Sequence, residues 1–440
     1  MFRGERGLRI WAVTIRSGMD RPFGSAFAKH WNLDSSITLL NHGSFGATPR
    51  VVRDAAAAFT ARMELEPVGF FVSELEPLLD CARETMAAFV GCAAADFAFV
   101  TNASTGVSTV TQSLRLEPGD ELLTTAHEYD ACNNALRRAA ERSGATVVTA
   151  RAPFPAKDGE EIAAAVLAGI TDRTKLLLLS HITSVSAMVM PVGRIIAAAQ
   201  ARGVDVLLDS AHGPGSVKMN LGELKPAYAT GNFHKWVCAP KGSAFLYVRP
   251  DRQAGVSPLT ISHGMNSSRT DRSRFRLEFD YQGTQDPCSW LATPTAVEFL
   301  PGLLGLVGSG GWERVRLVNH ELAQRGAAVV GAALGTVPPL PEELCASMAL
   351  VPIPAHDAGV DARLRARPTL YADALQDVLL AKYGIQVPIL RMPVQEGLTL
   401  ETDRFVRVSG QLYNSLEQYE YLGWALRREL ETEREGRAGV

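Results

Sequence analysis

Apolar runs of strand length recur through the middle of the chain, at 97–101, 121–125, 146–150, 175–180, 204–208, 227–230 and 243–248. Most are continuous rather than alternating, the pattern of strands buried on both faces. Most gaps hold roughly 20–30 residues with Ala-rich helical periodicity, as at 133–143 and 192–202. Strand, helix, strand at that spacing predicts an α/β fold with a seven-stranded, mainly parallel sheet covered on both faces. Ligands on such sheets bind beyond the carboxyl ends of the strands.

The flanks read differently. Residues 37–46 predict a short strand running into a Gly-rich turn, with Thr48 as N-cap and Pro49 at the first helical position. Leu75, Leu78, Leu79, Ala82, Met86 and Phe89 repeat at helical spacing within 74–90. From 301 a Gly-rich junction (302–311) precedes a helix at 312–334, a strand at 347–352 and a loop at 353–368. A helix at 369–383, strands at 387–391 and 405–409, and a closing helix at 416–431 complete a smaller α+β domain. The expected division is an extension over 1–20, an N-terminal segment over 21–48, a large domain over 49–300 and a small domain over 301–440.

Composition narrows the class. Hydrophobic residues are 46% and charged residues 21%, so the chain is globular rather than disordered. A net charge of −3 argues against a nucleic-acid binder held by phosphate contacts. Apolar runs stay short of a membrane span. Arg3, Arg6 and Arg9 precede an apolar run at 10–15 that is short for a signal peptide. The expectation there is an extension, or translation beginning at Met19. Cysteines at 81, 92, 132, 238, 288 and 345 form no CxxC pair or metal-like cluster. They read as reduced thiols of a cytoplasmic protein, with no metal site.

Five segments carry candidate chemistry, four of them at strand ends. Thr101-Asn-Ala-Ser-Thr-Gly106 opens a helix and offers an anion site or an ordinary cap. Asp209-Ser-Ala-His-Gly213 puts a carboxylate at a strand's end, as a site residue or a turn former. Lys235 sits between His234 and Trp236, as a partly desolvated amine or a surface lysine. Tyr129, in His127-Glu-Tyr-Asp130, offers a flat ring or packs on the next helix. Arg407 is a lone cation at strand spacing, functional or merely exposed. Read together and in this order, they match what pyridoxal phosphate needs. That cofactor takes a phosphate cradle, a ring stack, a carboxylate for the pyridine nitrogen, an amine to bond, and a cation for the substrate carboxylate.

With these segments the chain resembles the class V aminotransferase-like family of fold-type I pyridoxal phosphate enzymes, nearest its isopenicillin N epimerase-like branch. The resemblance runs from Leu39 to about 422 and rests on LNHGSFGATPR, TNASTGVSTV, HEYDACNNAL, SHITSVSAMVMP, DSAHGPG, GNFHKW and RVSGQLYNS. It implies that 49–300 binds the cofactor and that 21–48 lines the active site. It makes Lys235 the cofactor-bonding lysine and catalytic base, Asp209 the partner of the pyridine nitrogen, and Tyr129 the stacking ring. His212 and Ser184 fall near the cofactor's ring oxygen. Ala103, Ser104 and Thr105 hold the phosphate with Asn232 and His234. Thr284, after Gly283, reaches the phosphate from a neighbouring subunit, which implies a homodimer with shared sites. Arg407 binds the substrate α-carboxylate, and Asn41, His42, Gly43 and Ser44 line the substrate pocket.

One departure matters. Cysteine desulfurases carry a nucleophilic Cys shortly before the matching arginine, and 382–407 here contains none. The resemblance then leaves four outcomes for an amino-acid substrate. The first is β-elimination from an S-substituted L-cysteine, giving thiol, pyruvate and ammonia in a secondary-metabolite or thiol pathway. The others are epimerisation, with His42 or Tyr129 as a second base, decarboxylation coupled to oxidative deamination, and transamination. Elimination is the favoured expectation because it needs only Lys235 and a good leaving group. Specificity is expected in 39–46, in 353–368 and in the arginine-rich stretch 263–280. That stretch holds His263, Arg269, Arg272, Arg274 and Arg276, which either greet an anionic substrate or solvate a loop.

Overall fold

The computed structural model describes residues 21–392 and 402–436. The extension 1–20 lies outside them. The central sheet comprises β1 (Phe97–Val100), β2 (Glu121–Thr125), β3 (Thr146–Ala150), β4 (Thr174–Ser180), β5 (Asp205–Asp209), β6 (Tyr228–Asn232) and β7 (Ala244–Val248). Their spatial order is β1-β7-β6-β5-β4-β2-β3, and β7 alone runs against the rest. Continuous apolar sequence follows from position. Leu176 to Leu179 of β4 are fully buried between helical layers, each contributing about 2 kcal/mol of transfer free energy. Edge strand β3 has only Ala150 buried, and its Thr146 and Thr149 are exposed.

Parallel pairing brings the ends of β1, β2, β4, β5 and β6 to one rim. Ser180 pairs with Asp209, and Asp209 with Thr230. Reversed β7 begins at the same rim, with Ala244 opposite both Asn232 and Val100. A second sheet holds β8 (Met348–Pro352), β9 (Ile389–Arg391) and β10 (Arg404–Ser409), all antiparallel in the order β9-β10-β8. Helices Gly308–Leu334 and Leu416–Arg434 pack against each other beside it. Thr38–Leu39 pairs in parallel with Ile385–Gln386, tying the N-terminal segment to this second core.

Local chemistry moves several expected boundaries. The expected loop 353–368 contains helix Ala358–Arg365, because the Asp357 carboxylate caps the Val360 N–H. The helix expected from 369 begins at Ala374, where Asp373 caps Leu375. The Gly-rich junction is largely helical, with only 304–307 between Thr293–Leu303 and Gly308–Leu334. His42–Phe45 forms a helical turn. Helix Arg50–Leu65 starts after Pro49, and Thr48 does not cap it; its hydroxyl donates to the Ala239 carbonyl instead. Among the described residues no helix is long and apolar enough to cross a membrane.

Candidate active site

Asp209 ends β5 and is buried, at the wall of a cavity. Its Oδ1 accepts the Ala211 N–H at 2.9 Å and its Oδ2 the Cys132 thiol at 3.1 Å. Burial raises its pKa above the ordinary carboxylate value, while these donors and Lys235 pull it back. The end of β6 delivers Asn232, whose Oδ1 accepts the Ala103 N–H at 2.9 Å. That bond fixes the start of helix Ala103–Ser113 against the sheet, and Asn102 caps the helix by accepting from the Thr105 N–H. Lys235 follows in the turn after β6, anchored by buried Phe233 and Trp236. Its Nζ lies 3.0 Å from His212 Nε2. Desolvation, then the Arg407 charge, lowers the lysine to about 7, against the opposing pull of Asp209. Burial holds His212 well below the usual imidazole value, and burial and Lys235 bring His234 to about 4.

These side chains surround one cavity of about 240 Å³. Of the residues singled out from sequence, Gly43, Ser44, Ala103, Ser104, Tyr129 and Ser184 line it. Asp209, His212, Asn232, His234, Lys235 and Arg407 do so too. Arg407 enters from β10, where burial lowers it to about 10. Its guanidinium donates to the Ser184 carbonyl and, at 3.2 Å, to the Ser44 hydroxyl. The Ser184 hydroxyl faces the same guanidinium at 3.5 Å.

Four expected residues stand elsewhere. His42 is not a lining residue: it is buried, with Nδ1 accepting from Tyr413 Oη and Nε2 donating to the Lys235 carbonyl, each at 3.0 Å. Burial drops its pKa to about 3. Asn41 turns to accept the Ser44 hydroxyl at 2.6 Å. Thr105 bonds Asn102 and Thr101 at its own helix start. Thr284 is exposed and bonds Tyr281, off the cavity of its own chain. The arginine-rich stretch is committed internally. Arg269 pairs with Glu76 and Asp271, Arg272 with Asp80 and Glu76, and Arg276 with Asp80 and Asp280. Arg274 donates to the Gly264 and Ser267 carbonyls. These partners leave no bare cationic patch to greet an anion.

Phe45, Asn102, Ser180, Ile182 and Ala211 also line the cavity; they lie in segments singled out from sequence, which gave them no individual role. Sequence reasoning missed Glu128, whose carboxyl accepts from the Ser180 N–H at 2.8 Å and the Ser180 hydroxyl at 2.5 Å. Burial raises Glu128 to about 7. Gly46 would have been a further signal. Its φ is 69°, and a Cβ there would stand 1.9 Å from the His234 carbonyl, so only glycine lets this loop lie on the lysine turn.

A family model described as aminotransferase class V matches residues 46–315. The chain belongs to the class V aminotransferase family. Class V enzymes of this fold work with pyridoxal phosphate, and the residues here fit that group. Among the described residues, His212 Nδ1, His234 Nδ1 and Arg407 Nε are buried beside the cavity without a partner. A molecule bearing phosphate, hydroxyl and carboxylate oxygens supplies what they lack. The class V chain is 33% identical over 411 residues to isopenicillin N epimerase of Amycolatopsis lactamdurans, covering 90% of this chain and 96% of that one. It is 27% identical over 443 residues to an L-cysteine desulfhydrase of Arabidopsis thaliana, covering 96% and 92%. In fold it is similar to a cystine C–S lyase solved with cysteine persulfide, with a TM-score of 0.70 at 20% identity over 89% of this chain and 97% of that one.

Proposed function

We propose that this chain is a carbon–sulfur lyase acting on an S-substituted L-cysteine to release thiol, pyruvate and ammonia. The observation that carries the reading is the singular place of Lys235. Its amine is the cavity group tuned to about 7, where a general base works best near neutral pH. His42, the imidazole that could have acted as a second base, is spent on Tyr413 and the Lys235 carbonyl. Elimination needs one base, whereas inversion needs a second acid–base group on the opposite face.

Pyridoxal phosphate, when bound, supplies an electrophilic carbon and a ring that withdraws electrons from the substrate's α-carbon. Ser104, Asn232 and His234 would hold its phosphate at the helix start that Ala103 opens, and Asp209 its pyridine nitrogen. Arg407 binds and orients the substrate α-carboxylate by charge-assisted hydrogen bonds. Lys235 Nζ accepts the α-proton. The electron pair left behind expels the β-substituent as thiolate, and the remaining three-carbon fragment hydrolyses to pyruvate and ammonia. Neutral His212 steadies the amine without adding charge.

A second reading, epimerisation, is favoured by the likeness to isopenicillin N epimerase and by Tyr129, which lines the cavity at 50% exposure. The proposed state is a homodimer in which Gly283 and Thr284 reach the neighbour's cavity. Exposed Leu65, Val68 and Val72 offer an apolar surface for that pairing. A cytoplasmic setting is part of the proposal, supported by six free thiols. The test is incubation of the purified protein and pyridoxal phosphate with an S-alkyl-L-cysteine. Equal yields of thiol, pyruvate and ammonia are expected; conversion with none of the three overturns the lyase reading.

A further inference from the structure

Cys132 and Asp209 are far apart in sequence and meet at the cavity wall. Cys132 is 1% exposed, in the first turn of helix Asp130–Ser143, directly after Tyr129. Its Sγ lies 3.1 Å from Asp209 Oδ2. The Ala211 N–H on Oδ1 is the other donor to this carboxylate. Among the described residues no arginine or lysine forms an ion pair with Asp209 within 4 Å. Burial, Asp209 and Glu128 all push the thiol far above its usual pKa, so it stays protonated and acts as a donor.

A buried carboxylate's proton affinity depends on how many donors it has and how strong they are. A thiol is a weak donor, weaker than a hydroxyl in the same place. We propose that Cys132 is a positioning residue that sets the proton affinity of Asp209, and through it how firmly the pyridine nitrogen of the cofactor is kept protonated. This rests on the reading of the cavity as a pyridoxal phosphate site. A thiol orients Oδ2 while leaving the carboxylate basic. A hydroxyl would orient it and draw off negative charge; a methyl group would do neither. The other titratable groups around Asp209 are Lys235, whose charge is felt there, Glu128, held by Ser180 on the neighbouring strand, and His181. His181 donates its backbone N–H to the Asp209 carbonyl and bonds Ser210 through its ring. All three remain in the variants below.

The first test needs no cofactor. The infrared difference between the wild-type protein and Cys132→Ala isolates the S–H stretch of this thiol. The expected band is lowered in frequency by hydrogen bonding and moves back up in Asp209→Asn. A band at the frequency of an unbonded thiol, or one unmoved by Asp209→Asn, overturns the inference.

The second test uses holoprotein with nitrogen-labelled pyridoxal phosphate and does not depend on the Asp209 variant. Ring-nitrogen protonation, read by NMR, should rank Cys132→Ala above wild type and wild type above Cys132→Ser. Each step should shift the proton equilibrium by roughly fivefold, the worth of one modest hydrogen bond. Identical protonation in all three overturns the inference. Failure to take up pyridoxal phosphate overturns the reading of the site, and the infrared result still decides whether Cys132 bonds Asp209.

Discussion

Lys235 Nζ stands 3.0 Å from His212 Nε2 in a cavity that desolvates both groups. Burial holds the imidazole far below its usual pKa and brings the lysine down to about 7. A neutral ring beside an amine that titrates near neutrality leaves much of the lysine unprotonated at physiological pH.

The sign of the resulting pH dependence follows. Only the free amine attacks an aldehyde, and the free fraction grows as pH rises. Stopped-flow uptake of pyridoxal phosphate by the cofactor-free protein should speed up with pH and level off above about 7. A rate still climbing toward ~10, the range of an ordinary lysine, would contradict this.

Lys235→Ala should remove both the visible absorption band of the bound cofactor and turnover. Its side chain opens on the cavity rather than the core, so circular dichroism should keep the native signal. Turnover within tenfold of wild type would remove Lys235 from the chemistry.

Arg407→Lys keeps the charge but loses the planar fork that Ser44 and Ser184 hold in place. The expected loss in kcat/KM is roughly 10- to 100-fold, the worth of one charge-assisted hydrogen bond. It should fall mainly on KM for substrates bearing an α-carboxylate. An unchanged KM would place carboxylate recognition elsewhere.

His42 has a structural role here. His42→Ala leaves the buried Tyr413 hydroxyl without its partner, while the Lys235 carbonyl keeps the Cys238 N–H; the orphaned hydroxyl should cost about 1–3 kcal/mol. Denaturant unfolding should show that loss, and a proton-donating role in inversion would instead appear as lost turnover at unchanged stability.

The sheet was legible because buried parallel strands are apolar throughout, as in Leu176–Leu179. Its chemistry was legible because parallel pairing puts Asp209, Asn232 and Lys235 at one rim. Helix Ala358–Arg365 was not, since its only marker is the Asp357 cap amid Pro, His and Gly. Partners distant in sequence were invisible too. Nothing near His42 announces Tyr413, and nothing near Arg272 announces Glu76 and Asp80. Cys132 looks in sequence like any small helix residue, and its tie to Asp209 exists only once helix and strand pack.

The most direct test of the central claim is the fate of the α-carbon when the holoenzyme turns over an S-alkyl-L-cysteine in deuterated water. Proton NMR and chiral chromatography would follow substrate and products together. With Lys235 as the single base, pyruvate and thiol are expected, and any recovered substrate should keep the L configuration. Accumulation of the D-isomer with its sulfur substituent intact would contradict this and establish inversion.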